Sequence, residues 1–360
     1  MELLSILMLT LLGLLQMNDT TEVAFVGDAM QHGPQLRAAA QSDGSYDYSD
    51  CFALIEDDIK AADYAVANLE CPLGGAPYQG YPLFSAPDAY ALQLQKSGFD
   101  LLLTANNHCM DAGSKGAERT VKALDEMGMG HIGTYLNADD RSKRLPYIVD
   151  VNGLKIAFLT YTYGTNGIPV KAPVVVDLID ENQIVADVKK AKDNDAEVVC
   201  VCVHWGNEYE ILPSKHQRKL AEVMKSAGVD LIIGSHPHVV QPMEVDFAVN
   251  SGRGVATVYS LGNFISNQRE ETLGAGYKHT ETGVIAQVSL EYNITQGVLL
   301  GTEMSAIPTW VDRYTSNGQM KYSIIPLDEN LDGNAVLAES GHLTRAKGAK
   351  EEADGLLGID

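Results

Sequence analysis

Basic side chains are scarce in this chain. Its 360 residues carry 26 lysines and arginines against 48 aspartates and glutamates, a formal net charge of −22. Such an acidic surface repels nucleic acid and anionic membrane, and neither is expected as a partner. An anionic substrate would need local cations, and metal ions are the readiest source. Cysteine is sparse too. Cys51, Cys71, Cys109, Cys200 and Cys202 form no C-x-x-C pair and are odd in number. They are expected as small core residues, although Cys71 and Cys109 each follow a candidate site residue and are open to an oxidation-sensitive reading. No apolar run reaches the ~20 residues of a spanning helix. The longest covers residues 3–15 and has the length of a signal-peptide core, without a basic flank (Glu2 precedes it) or an A-x-A site. It is read as a degraded or mis-started export signal. A cell-envelope or secreted location follows from that reading, and a cytoplasmic one if the segment is not an export signal. No internal repeat, low-complexity tract or linker interrupts the rest.

What is present is an alternation of strand and helix signals. Residues 22–26, 64–69, 100–105 and 129–133 read as strands, with helical spacing over 48–63, 87–98 and 113–128 between them. Asn152-Gly153 between two apolar alternating runs is a hairpin signal. Residues 184–193 and 213–228 read as helices, and 197–203 as a central strand apolar on both faces. Beyond residue 240 the pattern becomes antiparallel strands, over 255–261, 283–292, 298–304, 309–314 and 322–325. The simplest assembly is an α/β (α+β) domain over residues 22–330. It has two sheets face to face and helices outside, the first half supplying a mostly parallel sheet and the second half mostly antiparallel strands. Residues 331–360 read as a helical, acidic tail with a solvated end.

The chemistry sits where strands end. Gly234-Ser-His236-Pro-His238 follows the apolar run 229–233, so two imidazoles two residues apart can aim at one volume. Asp28 ends the first strand after Gly27, which gives the backbone room to turn. Glu70 ends the next, Asn106-Asn107-His108 a third, and His204 a fourth. Loops at strand ends are where open α/β sheets build sites. Asp28, Glu70, Asn107, His204, His236 and His238 offer two carboxylates, one amide oxygen and three imidazoles. That set suits manganese, iron or zinc and is large enough for two ions with open positions. Two such ions suit phosphoester hydrolysis, with His108 placed to protonate the leaving oxygen. His131, His216, His279 and His342 lack this context and read as surface residues.

At these residues the chain resembles the CapA-type proteins of capsule and poly-γ-glutamate synthesis, within the calcineurin-like metallophosphoesterase superfamily. The matching stretches are Phe25-Val-Gly-Asp-Ala-Met30, Ala67-Asn-Leu-Glu-Cys-Pro72, Thr104-Ala-Asn-Asn-His-Cys-Met-Asp111, His204-Trp-Gly-Asn-Glu-Tyr209, Gly234-Ser-His-Pro-His-Val-Val-Gln-Pro242 and Tyr259-Ser-Leu-Gly-Asn-Phe264. The resemblance implies a four-layer α-β-β-α sandwich of two mixed sheets, metallo-dependent phosphatase-like. It implies one or two divalent metal ions on the six ligands above, with Glu70 bridging and His108 as general acid. Glu208, Tyr209, Asn263 and His32 would line the cleft. The substrate would be a phosphoester or an anionic envelope polymer, with capsule-synthesis membrane proteins as partners. A non-catalytic accessory that binds or transfers an anionic polymer is the other reading. The superfamily's Asp-x-His has Met30 in place of its histidine, which thins one metal's shell, and His32 is the nearest residue able to compensate.

Overall fold

Each parallel pair in the first half is joined by helical crossovers, as the alternating signals predict. The computed structural model describes residues 18–247 and 254–357; the apolar segment 3–15 lies outside them. β1 (Asn18–Ala29), β2 (Tyr64–Leu69), β3 (Leu101–Leu103) and β4 (Gly130–Ile132) run parallel. β13 (Thr282–Asn293), β14 (Val298–Ser316) and β15 (Gln319–Pro326) return antiparallel and complete a seven-stranded sheet ordered β15-β14-β13-β1-β2-β3-β4. The second sheet is six-stranded. It uses β6 (Tyr147–Val151), β7 (Leu154–Thr162), β9 (Val198–His204), β10 (Leu231–Ser235), β11 (Met243–Phe247) and β12 (Gly254–Val258), ordered β11-β12-β10-β9-β7-β6. β5 (Thr134–Tyr135) and β8 (Val175–Val176) form a separate ribbon.

The layers follow from side-chain alternation. On β1, Val23 and Phe25 join the core between the sheets, where Phe25 meets Phe158 of β7 at 6.4 Å between ring centroids. Their neighbours Ala24 and Val26 join a second core, under the helices that carry Phe52, Ile59, Tyr90, Leu94 and Leu124. On the far side, Ile184, Val188, Leu220 and Met224 close the six-stranded sheet with the helices Glu181–Asp193 and Lys215–Ala227. The result is the α-β-β-α sandwich. Each buried Phe or Leu contributes about 1.5–3 kcal/mol, so alternation along β1 alone commits the strand to its register.

Several expectations need correction. The halves of the chain do not map onto sheets: both sheets are mixed, because β13 returns beside β1 and the second sheet is built from residues 147–258. The helix read over 48–63 is two, Ser49–Phe52 and Glu56–Lys60. Ile55 N–H bonds the Phe52 carbonyl at 3.0 Å, tightening the turn, and three acidic residues open the second helix, where its dipole favours them. Phe52, Ile55 and Ile59 still share the core. Residues 298–304 and 309–314 belong to one strand, β14. Pro308 pairs with Val284 of β13, and its carbonyl accepts from Leu327 N–H at 2.8 Å, so its missing N–H faces the end of β15. Pro213 lies outside its helix, which Ser214 opens with a capping box to Gln217.

His131 is buried and bonded to Asp125 at 3.0 Å, so it is no surface residue. The C-terminal tail forms the helices Ala335–Ser340 and Leu343–Leu357 and docks on the sandwich. Leu337 and Ala346 pack on Trp310, Ile325 and Leu327, and Arg345 reaches Glu271 and Glu281. The five cysteines are free, four of them buried. Burial pushes the Cys109 thiol up to about 12, which argues against a redox role. Among the described residues, no helix is long and apolar enough to cross a membrane.

Candidate metal centre

Strand register brings the predicted ligands to one edge of the sandwich. Asp28 stands opposite Asn68 across β1 and β2, and Glu70 follows β2 directly. His204 ends β9 opposite Ser235 of β10, which delivers His236 and His238 next to it. Residues 259–265 tie the two sheets together: Leu261 N–H donates to Gly234 O and Asp28 N–H to Gly262 O, both at 3.0 Å. This crossing explains Gly27. A Cβ there would sit 2.0 Å from Gly262 O, so the glycine serves a close approach between backbones rather than a turn.

Asp28, Glu70, Asn107, His204, His236 and His238 all converge, and all are buried. Two groups of ligand atoms lie within 4.8 Å of one another: Asp28, Glu70 and His204, and Glu70, His236 and His238. Glu70 is common to both. Asn107 Oδ1 faces His204 Nε2 at 2.8 Å, and His238 Nδ1 lies 3.0 Å from Asp28 Oδ2. His236 and His238 take φ of 100° and 59°. Left-handed backbone costs a non-glycine residue about 1–3 kcal/mol, and such strain clusters at working sites. Asn68 was not assigned from sequence, yet its Nδ2 donates to Asp28 Oδ1 at 2.8 Å and approaches Glu70 Oε2 at 3.4 Å. Its signal was available: Asn68 and Glu70 are two apart and share a face.

The electrostatics of the pocket suit a cation. Burial opposes ionisation of Asp28, but the hydrogen bond from His238 and the nearby imidazoles outweigh it and hold its carboxyl low. Burial and then the Asp28 charge push Glu70 well above the carboxylate range. Burial drives His204 well down and His236 down to about 3, with neighbouring histidines adding to it, which disfavours the charged form of both rings. Glu70 Oε1 and His236 Nδ1 are sealed from solvent without a hydrogen-bond partner. Such orphaned lone pairs cost free energy unless something accepts them, and a divalent cation fits them. The side-chain hydrogen bonds and ion pairs of Asp28 and Glu70 involve histidines and an asparagine, with no lysine or arginine among the described residues.

His108 stands at the rim. Its Nδ1 is 2.7 Å from Asp111 Oδ2, which also accepts from Phe84 N–H at 2.8 Å, and its ring packs edge-on against Phe84. Asp111, three residues on, was a second residue not assigned from sequence. A cavity of about 360 Å3 opens beside the centre, with Met30, His32, His108, Glu208, Tyr209 and His238 in its walls. His32 therefore lines the cleft and belongs to neither ligand group; its Nδ1 accepts from Asn267 N–H at 3.3 Å. Met30 is buried, and its sulfur accepts from the Ser266 hydroxyl. Asn263 departs from expectation. It has no exposed surface, and its amide bonds His238 Nδ1 (3.1 Å) and the carbonyl of Thr280 (2.9 Å), so it supports His238 from behind instead of lining the cleft. Tyr163, half-exposed, was also missed; it follows β7 and lays its ring 4.5 Å from that of His236.

Residues 22–268 match the family model described as bacterial capsule synthesis protein PGA_cap. The chain belongs to that family. It is 31% identical over 289 residues to the capsule biosynthesis protein CapA of Bacillus anthracis, covering 77% of this chain and 66% of that one. Identity is again 31% over 288 residues to the PGA biosynthesis protein CapA of Bacillus subtilis (strain 168), covering 77% and 70%. The chain thus spans about two thirds of the length of these curated CapA relatives. The calcineurin-like phosphoesterase YfkN of Bacillus subtilis is similar in structure, with a TM-score of 0.41, 13% identity and coverage of 93% of this chain and 98% of that one. Likeness at that level says nothing about activity. The sequence motifs and the family match agree on the same stretch, and five of the six predicted ligands in this CapA-type chain make up the two groups that share Glu70.

Proposed function

We propose that this chain is a metal-dependent, phosphoesterase-like hydrolase serving capsule or poly-γ-glutamate synthesis in the cell envelope or outside the cell. One observation carries the reading: two ligand groups share one buried glutamate, and a carboxylate-held histidine faces the cleft next to them. Asp28, Glu70, Asn107, His204, His236 and His238 would hold one or two divalent ions of manganese, iron or zinc. When bound, such ions supply Lewis acidity and positive charge against phosphoryl oxygens. The chain's own residues do the rest. His204 and His236, whose charged forms burial disfavours, offer lone pairs for ligation. Asn68 orients Asp28 with its amide. Asp111 accepts the Nδ1 proton of His108 and fixes the ring, leaving Nε2 as the nitrogen that hands a proton to the leaving oxygen.

The test is turnover of generic phosphomonoesters and phosphodiesters by protein purified with Mn2+, with metal content measured on the same sample. His108→Ala should keep the metal and lose activity. No turnover by a loaded centre would refute the reading. Buried Met30, at the position of the superfamily's histidine, favours a second one: an accessory that binds or transfers an anionic polymer, partnered by capsule-synthesis membrane proteins. One metal or none per chain, with polymer binding unchanged in His108→Ala, would support it.

A further inference from the structure

The cavity beside the centre is built for a particular kind of leaving group. Its inner wall is His108, His238, Met30 and His32; its outer wall includes Tyr81, Tyr209, Glu208, Gln268 and Leu273. Among the described residues, no lysine or arginine lines it. Arg313 is bonded to Asn267 Oδ1 at 3.3 Å and is itself no part of the wall. The charged residue on the outer wall is Glu208, which is exposed. Tyr209 is held in place: its φ is 67°, its N–H donates to Pro237 O at 2.8 Å, and its ring packs edge-on to Tyr277 at 5.0 Å. Pro237 lies between the two candidate ligand histidines, so the same turn that sets the metal centre sets this tyrosine. Tyr81 presents a ring that is 73% exposed.

Aromatic faces beside a lone carboxylate attract neutral rings and cations and repel anions. We propose that this cleft takes the non-anionic part of the substrate, an uncharged or amine-bearing ring laid against Tyr209 and Tyr81 with Glu208 as its polar partner. The proposal rests on the hydrolase reading and narrows it. The reacting group is drawn to the metal centre, while a run of carboxylates such as a polyglutamate chain is excluded from the leaving-group side. Glu208 is then a specificity-determining residue.

The test compares three phosphate monoesters whose phenols have similar acidity: phenyl, 4-(aminomethyl)phenyl and 4-carboxyphenyl phosphate. Phosphate release is followed with Mn2+-loaded protein, and affinity for the matching non-hydrolysable phosphonates is measured by calorimetry. The expected result is kcat/KM at least about tenfold higher for the phenyl and aminomethyl esters than for the carboxylate, as like charge in a cleft costs about 1.4 kcal/mol per tenfold. Phosphonate affinities should follow the same order. In Glu208→Lys the preference should collapse or invert, and Tyr209→Ala should weaken the two favoured ligands most. Equal treatment of the carboxylate ligand, or a preference unchanged by Glu208→Lys, overturns the proposal. If no ester turns over, the hydrolase reading falls and the phosphonate order alone decides this one; equal or absent binding overturns it.

Discussion

Glu70→Gln keeps shape, removes the ionisable group, and separates the two things Glu70 does. In the metal-free chain Glu70 is a liability. It is fully buried, its Oε1 has no partner, and Asp28 stands beside it. Holding a buried carboxyl against its tendency to ionise at neutral pH costs the fold on the order of 1–2 kcal/mol, and glutamine bears no such cost, so in the presence of a chelator the variant should be more stable than the parent by about that much. With Mn2+ the order should reverse. A ligand at 1,000 times its Kd stabilises the folded state by about 4 kcal/mol, and the variant loses the donor that both ligand groups share. Urea denaturation with EDTA and with excess Mn2+, on both proteins, reads the four stabilities directly. If the variant is weaker in EDTA, or gains as much from Mn2+ as the parent, Glu70 is not the shared ligand.

Asp111→Asn should lower turnover about 100-fold, the lower end of general acid catalysis, with metal content unchanged, because it disturbs the partner of His108 Nδ1 and keeps an acceptor for Phe84 N–H; an unaltered rate would remove Asp111 from the mechanism. Gly27→Ala would drive a methyl into Gly262 O and should cost about 1–3 kcal/mol in urea denaturation, with loss of metal, since the crossing that joins the sheets carries Asp28. Burial holds buried His131 below its unfolded value of 6.5 despite Asp125. Its contribution is therefore complete above pH 6.5 and is lost as pH falls toward the folded value. Between pH 7.5 and 5, His131→Asn should lose less stability than the parent, and an identical slope would contradict the assignment.

Much of this was legible because strands and site share a cause. Apolar runs ended by polar residues marked β2 to its boundaries, and the same boundaries placed Glu70 and His204. Other features left no such trace. Which strands share a sheet depends on β13 returning beside β1 from more than 250 residues away, a pairing that local alternation cannot encode. Residues 298–304 and 309–314 read as two strands where there is one, because the harmless register of Pro308, facing past the end of β15, is a tertiary fact. Asn68 and Asp111 matter through what their side chains touch, and Asn263 was misplaced for the same reason: its type suits a cleft, but its partners lie behind His238.

Elemental analysis of freshly purified protein, repeated after Mn2+ loading and desalting, tests the centre most directly. The account predicts between one and two divalent ions per chain, falling by at least half in His236→Ala/His238→Ala with the fold retained by circular dichroism. A folded chain that holds no divalent ion after loading would contradict it.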